Sequence, residues 1–128
     1  MNPGYEMPLE DLKTWNLSLV NEVRDSELLE GYIDSNGNTW DVNESARSNL
    51  TGVCVLVALG VVTGDQVWRD KDNIDHTMTP AELVGLAGGM AVFIKTCYTN
   101  SWAHKATIEA MTDATTLQNY DIMTGWPH

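Results

Sequence analysis

The strongest constraint on this chain is the stretch that opens at Thr79-Pro80-Ala81-Glu82 and runs to about Met111. Thr79 is the N-cap, Pro80 takes the first helical position and Glu82 closes a capping box three residues on. Behind this start Leu83, Ala87, Met90, Ile94, Cys97, Ser101, His104, Ile108 and Met111 fall on one stripe, in alternating steps of four and three. Such a helix is roughly 45 Å long, and a chain of 128 residues has to be arranged around it. Gly85, Gly88, Gly89 and Ala91 sit near its start. Each glycine costs about 1 kcal/mol relative to alanine in a helix, so they predict the close approach of another helix. They do not make a phosphate loop, which needs Gly-Lys-Ser/Thr ahead of a helix rather than glycines within one. A bend or break is expected near Tyr98 to Trp102.

The remaining elements follow from local signals. Met1 to Pro8, with Pro3, Gly4 and Pro8, reads as a flexible start. Leu9, Leu12, Trp15, Leu19 and Val23 then recur at helical spacing, with Glu10 and Asp11 in the first turn, where they favour the helix dipole. Gly31 stops this helix. Tyr32 to Val42 reads as a β-hairpin about Asn36-Gly37, with a type I′ turn expected. Asp41 or Asn43 caps a helix from Glu44 to about Leu59. Its second half, Val53 to Leu59, is apolar all round, which predicts a position central to the core and a buried Cys54. This is also the helix expected to approach the glycines. Val67-Trp68-Arg69 and Asp75 to Met78 form a second hairpin, able to share one small antiparallel sheet with the first. Thr112-Asp113 caps a last short helix to about Tyr120, and Trp126 is expected to fold back onto the domain. No internal repeat is evident. The expected architecture is α+β: a compact helical core with one or two short hairpins at 25–128, preceded by a helical arm at 1–24.

Charge narrows the function classes. Residues 1–44 hold ten Asp/Glu and two Lys/Arg, a balance of −8; residues 45–128 hold eight and five, a balance of −3, for a total of −11. Nucleic-acid binding needs clustered Lys and Arg, so no nucleic-acid partner is expected. The longest apolar run, Val53 to Val62, is too short to span a bilayer, and no membrane partner is expected. Met1 to Glu10 has neither the basic nor the apolar part of a secretory signal. Two cysteines 43 positions apart give neither a disulfide framework nor a zinc site.

No arrangement for chemistry stands out. Asp34-Ser35-Asn36-Gly37-Asn38 lacks the Gly and Glu that a twelve-residue calcium loop requires at its sixth and twelfth positions. Asp70, Asp72, Asp75 and His76 fall in a tight turn, where such residues serve local hydrogen bonds. Cys54 and Cys97 lie in apolar helical patterns that suppress thiol reactivity, and His104 on its stripe reads as a structural residue. We therefore expect no catalytic, cofactor-binding or metal-ligating residues, and no enzyme. The apolar side of the first helix, Leu12, Trp15, Leu19 and Val23, is the candidate partner-binding face.

A set of residues carries a resemblance. It comprises Val23-Arg24-Asp25, Gly31, Trp40-Asp41, Ser45-Ala46-Arg47, Leu50, Trp68-Arg69, Asp72-Asn73, His76-Thr77-Met78-Thr79, Glu82-Leu83 and Leu86, and continues through Lys105-Ala106, Ile108, Leu117, Tyr120-Asp121 and Gly125-Trp126-Pro127. In this order the chain resembles an uncharacterised domain family of tailed-phage and prophage tail-fibre-associated proteins. The resemblance implies a virion-tail setting, with the chain made in the bacterial host cytoplasm, and brings no catalytic residues. The expected function is a structural virion component attached to tail, baseplate or fibre through apolar packing. Its partners would be other tail or fibre proteins, with copies following the symmetry of the tail. The alternatives are a fibre-assembly accessory protein not retained in the particle, or an acidic inhibitor of a host nucleic-acid enzyme.

Overall fold

The computed structural model describes residues 7–128, so most of the expected flexible start, residues 1–6, lies outside the described residues. The elements in order are α1 (Leu9–Glu30), β1 (Tyr32–Ile33), β2 (Thr39–Trp40), α2 (Glu44–Ala58), β3 (Gln66–Arg69), β4 (Asp75–Met78), α3 (Pro80–Ala110) and α4 (Ala114–Gln118). The fold is α+β, as expected. The two hairpins do not share a sheet: each is its own antiparallel pair, with Tyr32 opposite Trp40 and Trp68 opposite His76. α3 passes through Tyr98–Trp102 without a break.

The chain divides into two compact units, one made of the residues up to Ser26 with Thr96–His128, the other of Glu27–Lys95. The expected division was an arm at 1–24 and a domain at 25–128; by packing, α1 up to Ser26 groups with Thr96–His128. α1 and α3 each contribute to both units, so the boundary falls within helices, where no sequence breaker marks it.

In the first unit α1 runs antiparallel to the second half of α3. The Lys13 ammonium donates to the Glu109 carbonyl at 2.9 Å, and the Arg24 guanidinium lies 4.9 Å from the centre of the Tyr98 ring. Leu12 and Val20 of α1 are buried in this unit, as are Cys97, Ser101 and Ile108 of α3, Leu117 of α4 and Trp126. The Trp126 indole donates to the Ile122 carbonyl at 2.8 Å, closing the C-terminal segment into a turn. Trp126 thus folds back as expected.

In the second unit α2 runs antiparallel to the first half of α3. The Cys54 thiol lies 3.8 Å from the Leu83 carbonyl, and Arg47 and Leu50 line one groove with Met90, Ile94 and Lys95. Asn43 caps α2, its side-chain oxygen accepting from the Ala46 amide at 2.8 Å. Thr79 and Glu82 form the expected reciprocal box, at 3.0 and 3.1 Å. Among the α3 glycines only Gly89 has a close neighbour, the Tyr32 ring, which a β-carbon there would strike. Gly85 and Gly88 face open space, so the expected approach of α2 onto them does not occur.

The hairpins carry an internal repeat that residue identities hide. In the first, Asp34 Oδ1 accepts from the amides of Asn36 and Asn38 at 2.9 and 3.0 Å, and Oδ2 accepts from the Trp40 indole at 2.9 Å. In the second, Asp70 Oδ1 accepts from the amides of Asp72 and Ile74 at 2.8 and 3.0 Å, and Oδ2 lies 2.7 Å from His76 Nε2. Each loop has one residue in the left-handed region, Gly37 at φ +83° or Asn73 at φ +63°. Each closes with the same two backbone bonds, Asp34 N to Asn38 O with Gly37 N to Asp34 O, and Asp70 N to Ile74 O with Asn73 N to Asp70 O. This is a three-residue loop with a bulge, not the expected type I′ turn. Holding two loop amides on one carboxylate oxygen favours it. The rings that end the loops, Trp40 and His76, meet at 5.1 Å. Lys71 ties the hairpins together: its amide donates to the Thr39 carbonyl at 2.9 Å, and its ammonium caps α1 at the carbonyls of Leu29 and Glu30.

Candidate functional site

His76 is occupied by Asp70 and packs against Trp40. His104 is buried in the first unit, with Nε2 2.8 Å from the Thr124 carbonyl and Nδ1 2.6 Å from the Tyr120 hydroxyl. A carbonyl only accepts, so Nε2 carries the proton, and in the neutral ring Nδ1 accepts from Tyr120. The ring also stacks on Trp126 at 5.8 Å, while Asn100 donates to the same Thr124 carbonyl at 3.0 Å. His104 therefore pins the C-terminal segment, the structural role expected of it. Cys97 is fully buried; Cys54 is half-buried, and burial pushes its thiol pKa up, away from the reactive thiolate.

The carboxylates with displaced pKa values are also engaged locally. Glu82 is held low by the Thr79 amide and hydroxyl, and Asp113 by Thr116 and the Thr115 amide, both as helix caps. Arg69 holds Asp75 low across the second hairpin at 2.7 Å. Asp70 is held low first by His76 and then by two loop amides, which together outweigh the opposing effect of burial. Asp70 thus spends both oxygens locally and Asp75 is paired with Arg69, bonds of the kind expected for that cluster.

The four α1 residues of the expected partner face do not lie on one open stripe. Leu12 is buried in its own unit, Leu19 and Val23 are half-buried, and only Trp15 is open, at 58% exposure. The expectation for α2 is overturned outright. Instead of sitting at the centre of a core, it buries only Leu50 fully; Val55, Leu56, Leu59 and, beyond the helix, Val61 are exposed. The first half of α3 adds Val84 and Val92, both exposed, beside the open Gly85 and Gly88. The second unit therefore carries an apolar surface on two antiparallel helices. No Asp or Glu occurs between residues 45 and 64 or between 83 and 108.

Between these helices runs a groove of about 330 Å³. Leu50, Ala87, Met90 and Ile94 supply apolar lining, and Arg47 and Lys95 line the groove with them. Among the described residues neither cation makes an ion pair. Arg24, by contrast, pairs with Asp25 at 3.0 Å. Sequence reasoning missed this surface because an apolar helix reads as core. The usable signal was the absence of carboxylates from two long stretches of a strongly acidic chain.

α3 also corrects the reading that apolar run length excludes a bilayer span. By length and composition alone it is apolar enough to cross a membrane, with an 18-residue window of mean hydropathy 1.2, of which 28% is buried.

The chain matches the family described as a domain of unknown function (DUF4376) over residues 11–124, nearly its whole length, and belongs to that family. No curated protein and no solved structure matches it.

Proposed function

We propose that this member of the DUF4376 family is a protein-docking module, a structural component of a tailed-phage particle attached to tail, baseplate or fibre by apolar packing and without turnover. The observation that carries the reading is the exposed apolar surface of α2 and the first half of α3, made of Val55, Leu56, Leu59, Val84 and Val92. Exposed apolar side chains gathered on neighbouring helices, in stretches without carboxylates, support an interaction site on a folded domain. The tail setting rests on the sequence resemblance. The docking surface moves from the α1 face expected at first to the second unit, because there the apolar side chains stand open.

A lipid partner is the weaker reading of the same surface. The second half of α3 packs with α1, which bears Glu10, Asp11, Glu22 and Asp25. A bilayer around α3 would have to take in such charges at about 2.5–3.5 kcal/mol each. Docking to protein needs only the exposed half.

Mass spectrometry of purified particles of the encoding phage tests the setting. The chain is expected at a stoichiometric copy number. Its presence in infected cells but absence from finished particles would replace the virion role with the assembly-accessory one. The surface is tested by Leu59→Asp with Val84→Asp. Both positions are exposed, so the fold should persist while incorporation into particles is lost. Unchanged incorporation would place docking elsewhere.

A further inference from the structure

We propose that the α2/α3 groove receives an acidic amphipathic helix of a partner chain, its carboxylates meeting Arg47 and Lys95 and its apolar stripe lying along Leu50, Met90 and Ile94. The proposal rests on the docking reading above and specifies the chemistry of what docks.

The antiparallel run of the helices sets the polarity of the site. Cys54 meets Leu83 at one end. Arg47 lies about two turns back along α2 and Lys95 about three turns on along α3, so both cations fall at the other end. The groove thus carries both cations at the end away from the Cys54–Leu83 contact, beside the apolar side chains of Leu50, Ala87, Met90 and Ile94. Two antiparallel helices with an open apolar seam are the receptor half of helix-in-groove recognition, in which a third helix supplies anchors at i, i+3, i+4 and i+7. Ala87 and Ala91 are the small residues of the α3 wall of the groove, so an incoming backbone can approach there.

The charge argument selects the occupant. The chain holds seven Lys/Arg against 18 Asp/Glu, yet Arg47 and Lys95 lack an ion-pair partner among the described residues. Meanwhile Arg69 is paired with Asp75 and Arg24 with Asp25. Two unpaired cations beside an apolar lining are complementary to carboxylates next to apolar side chains.

The test uses the full chain and two labelled synthetic helical peptides in fluorescence anisotropy. Both carry Leu at i, i+3, i+4 and i+7; one has Glu at the flanking positions, the other Lys. The Glu peptide is expected to bind and to weaken as salt is raised. Arg47→Glu with Lys95→Glu should cost it about tenfold or more in affinity and improve binding of the Lys peptide. Arg47→Lys should keep the preference for Glu. Equal binding of the two peptides, no binding of the Glu peptide, or indifference to the double reversal would each overturn the proposal. Nile red fluorescence, lowered by Leu56→Asp with Val84→Asp, reports the apolar surface separately. If that signal persists while discrimination by charge fails, the groove assignment falls and the docking reading stands. If both are absent, both fall.

Discussion

The two hairpins of the second unit solve one folding problem with different residues. Both hang a three-residue loop on a single aspartate, bind two amides on one oxygen and give the other oxygen to a ring nitrogen six residues on. In the first loop that ring is Trp40, a permanent donor; in the second it is His76, whose nitrogens take either role. The first loop is more open, since Asp34 is half-buried, while Asp70 is only 5% exposed. With strands of two and four residues, too short to be stable alone, the carboxylate rather than the ladder defines each turn. Lys71 then makes the second hairpin a support for the first, through Thr39 and the end of α1.

The largest difference is expected on removing the aspartates. Asp70→Ala leaves two loop amides and a ring nitrogen without their acceptor in a buried place, whereas water can reach the corresponding groups around Asp34. Asp70→Ala should lower the melting temperature by roughly 10 °C and Asp34→Ala by about half as much. Thermal unfolding followed by circular dichroism decides it. Equal losses would show that burial does not separate the loops, and a larger loss at Asp34 would reverse the assignment of the second hairpin as the support.

This repeat was not legible from residue identities. Asp34-Ser35-Asn36-Gly37-Asn38-Thr39-Trp40 and Asp70-Lys71-Asp72-Asn73-Ile74-Asp75-His76 share only the aspartate. What they have in common is capacity: an acceptor first, a residue tolerant of positive φ fourth, a ring nitrogen seventh. By contrast, the helix starts at Asn43, Thr79 and Asp113 were readable, because a cap is a contact between near neighbours in sequence. The buried stripe of α3 was readable as well, from Leu83 through Met90, Cys97 and His104 to Ile108. The exposure of α2 was not. An apolar helix waiting for a partner and one already inside a core have the same composition, and only the tertiary arrangement separates them. Within the expected α1 face Leu12 already has its neighbours inside the chain, while Trp15 stands open.

The second prediction concerns the rings. Trp40→Phe keeps an aromatic body beside His76 but removes the N–H that Asp34 accepts. It should cost about 1–2 kcal/mol by denaturant unfolding. In a background of Asp34→Asn the same change should cost clearly less, because the charged acceptor is already gone. Additive losses would mean that the indole acts by packing alone.

Acid should then sharpen the contrast. Both carboxyls titrate below the ordinary 3.8, so the unfolded chain takes up protons first as pH falls. For Asp34, burial pushes the other way and is outweighed by the Trp40 indole with the Asn36 and Asn38 donors; for Asp70, His76 is the chief cause. The stabilisation each gives is complete above about pH 4 and is lost as pH falls through the lowered folded value. Melting temperature measured from about pH 6 to about pH 3 should fall for the natural chain, and Asp70→Asn should flatten that limb more than Asp34→Asn does. Parallel limbs in all three proteins would assign the acid sensitivity to other carboxylates.

The smallest expected effect separates the loops at their left-handed residue. Gly37 holds φ +83° with nothing within 4 Å of the place a β-carbon would take, so Gly37→Ala meets no neighbour and costs only the backbone preference. For alanine that is about 1–2 kcal/mol. Asparagine tolerates this region far better, so Gly37→Asn should cost less than Gly37→Ala. At the matching position Asn73 already occupies the region at φ +63°, and Asn73→Gly should change stability by less than about 1 kcal/mol, since released backbone strain is offset by the greater freedom of glycine in the unfolded chain. If Asn73→Gly instead costs as much as Gly37→Ala, the asparagine side chain has a role in its loop that glycine lacks in the first, and the two loops are equivalent in backbone only.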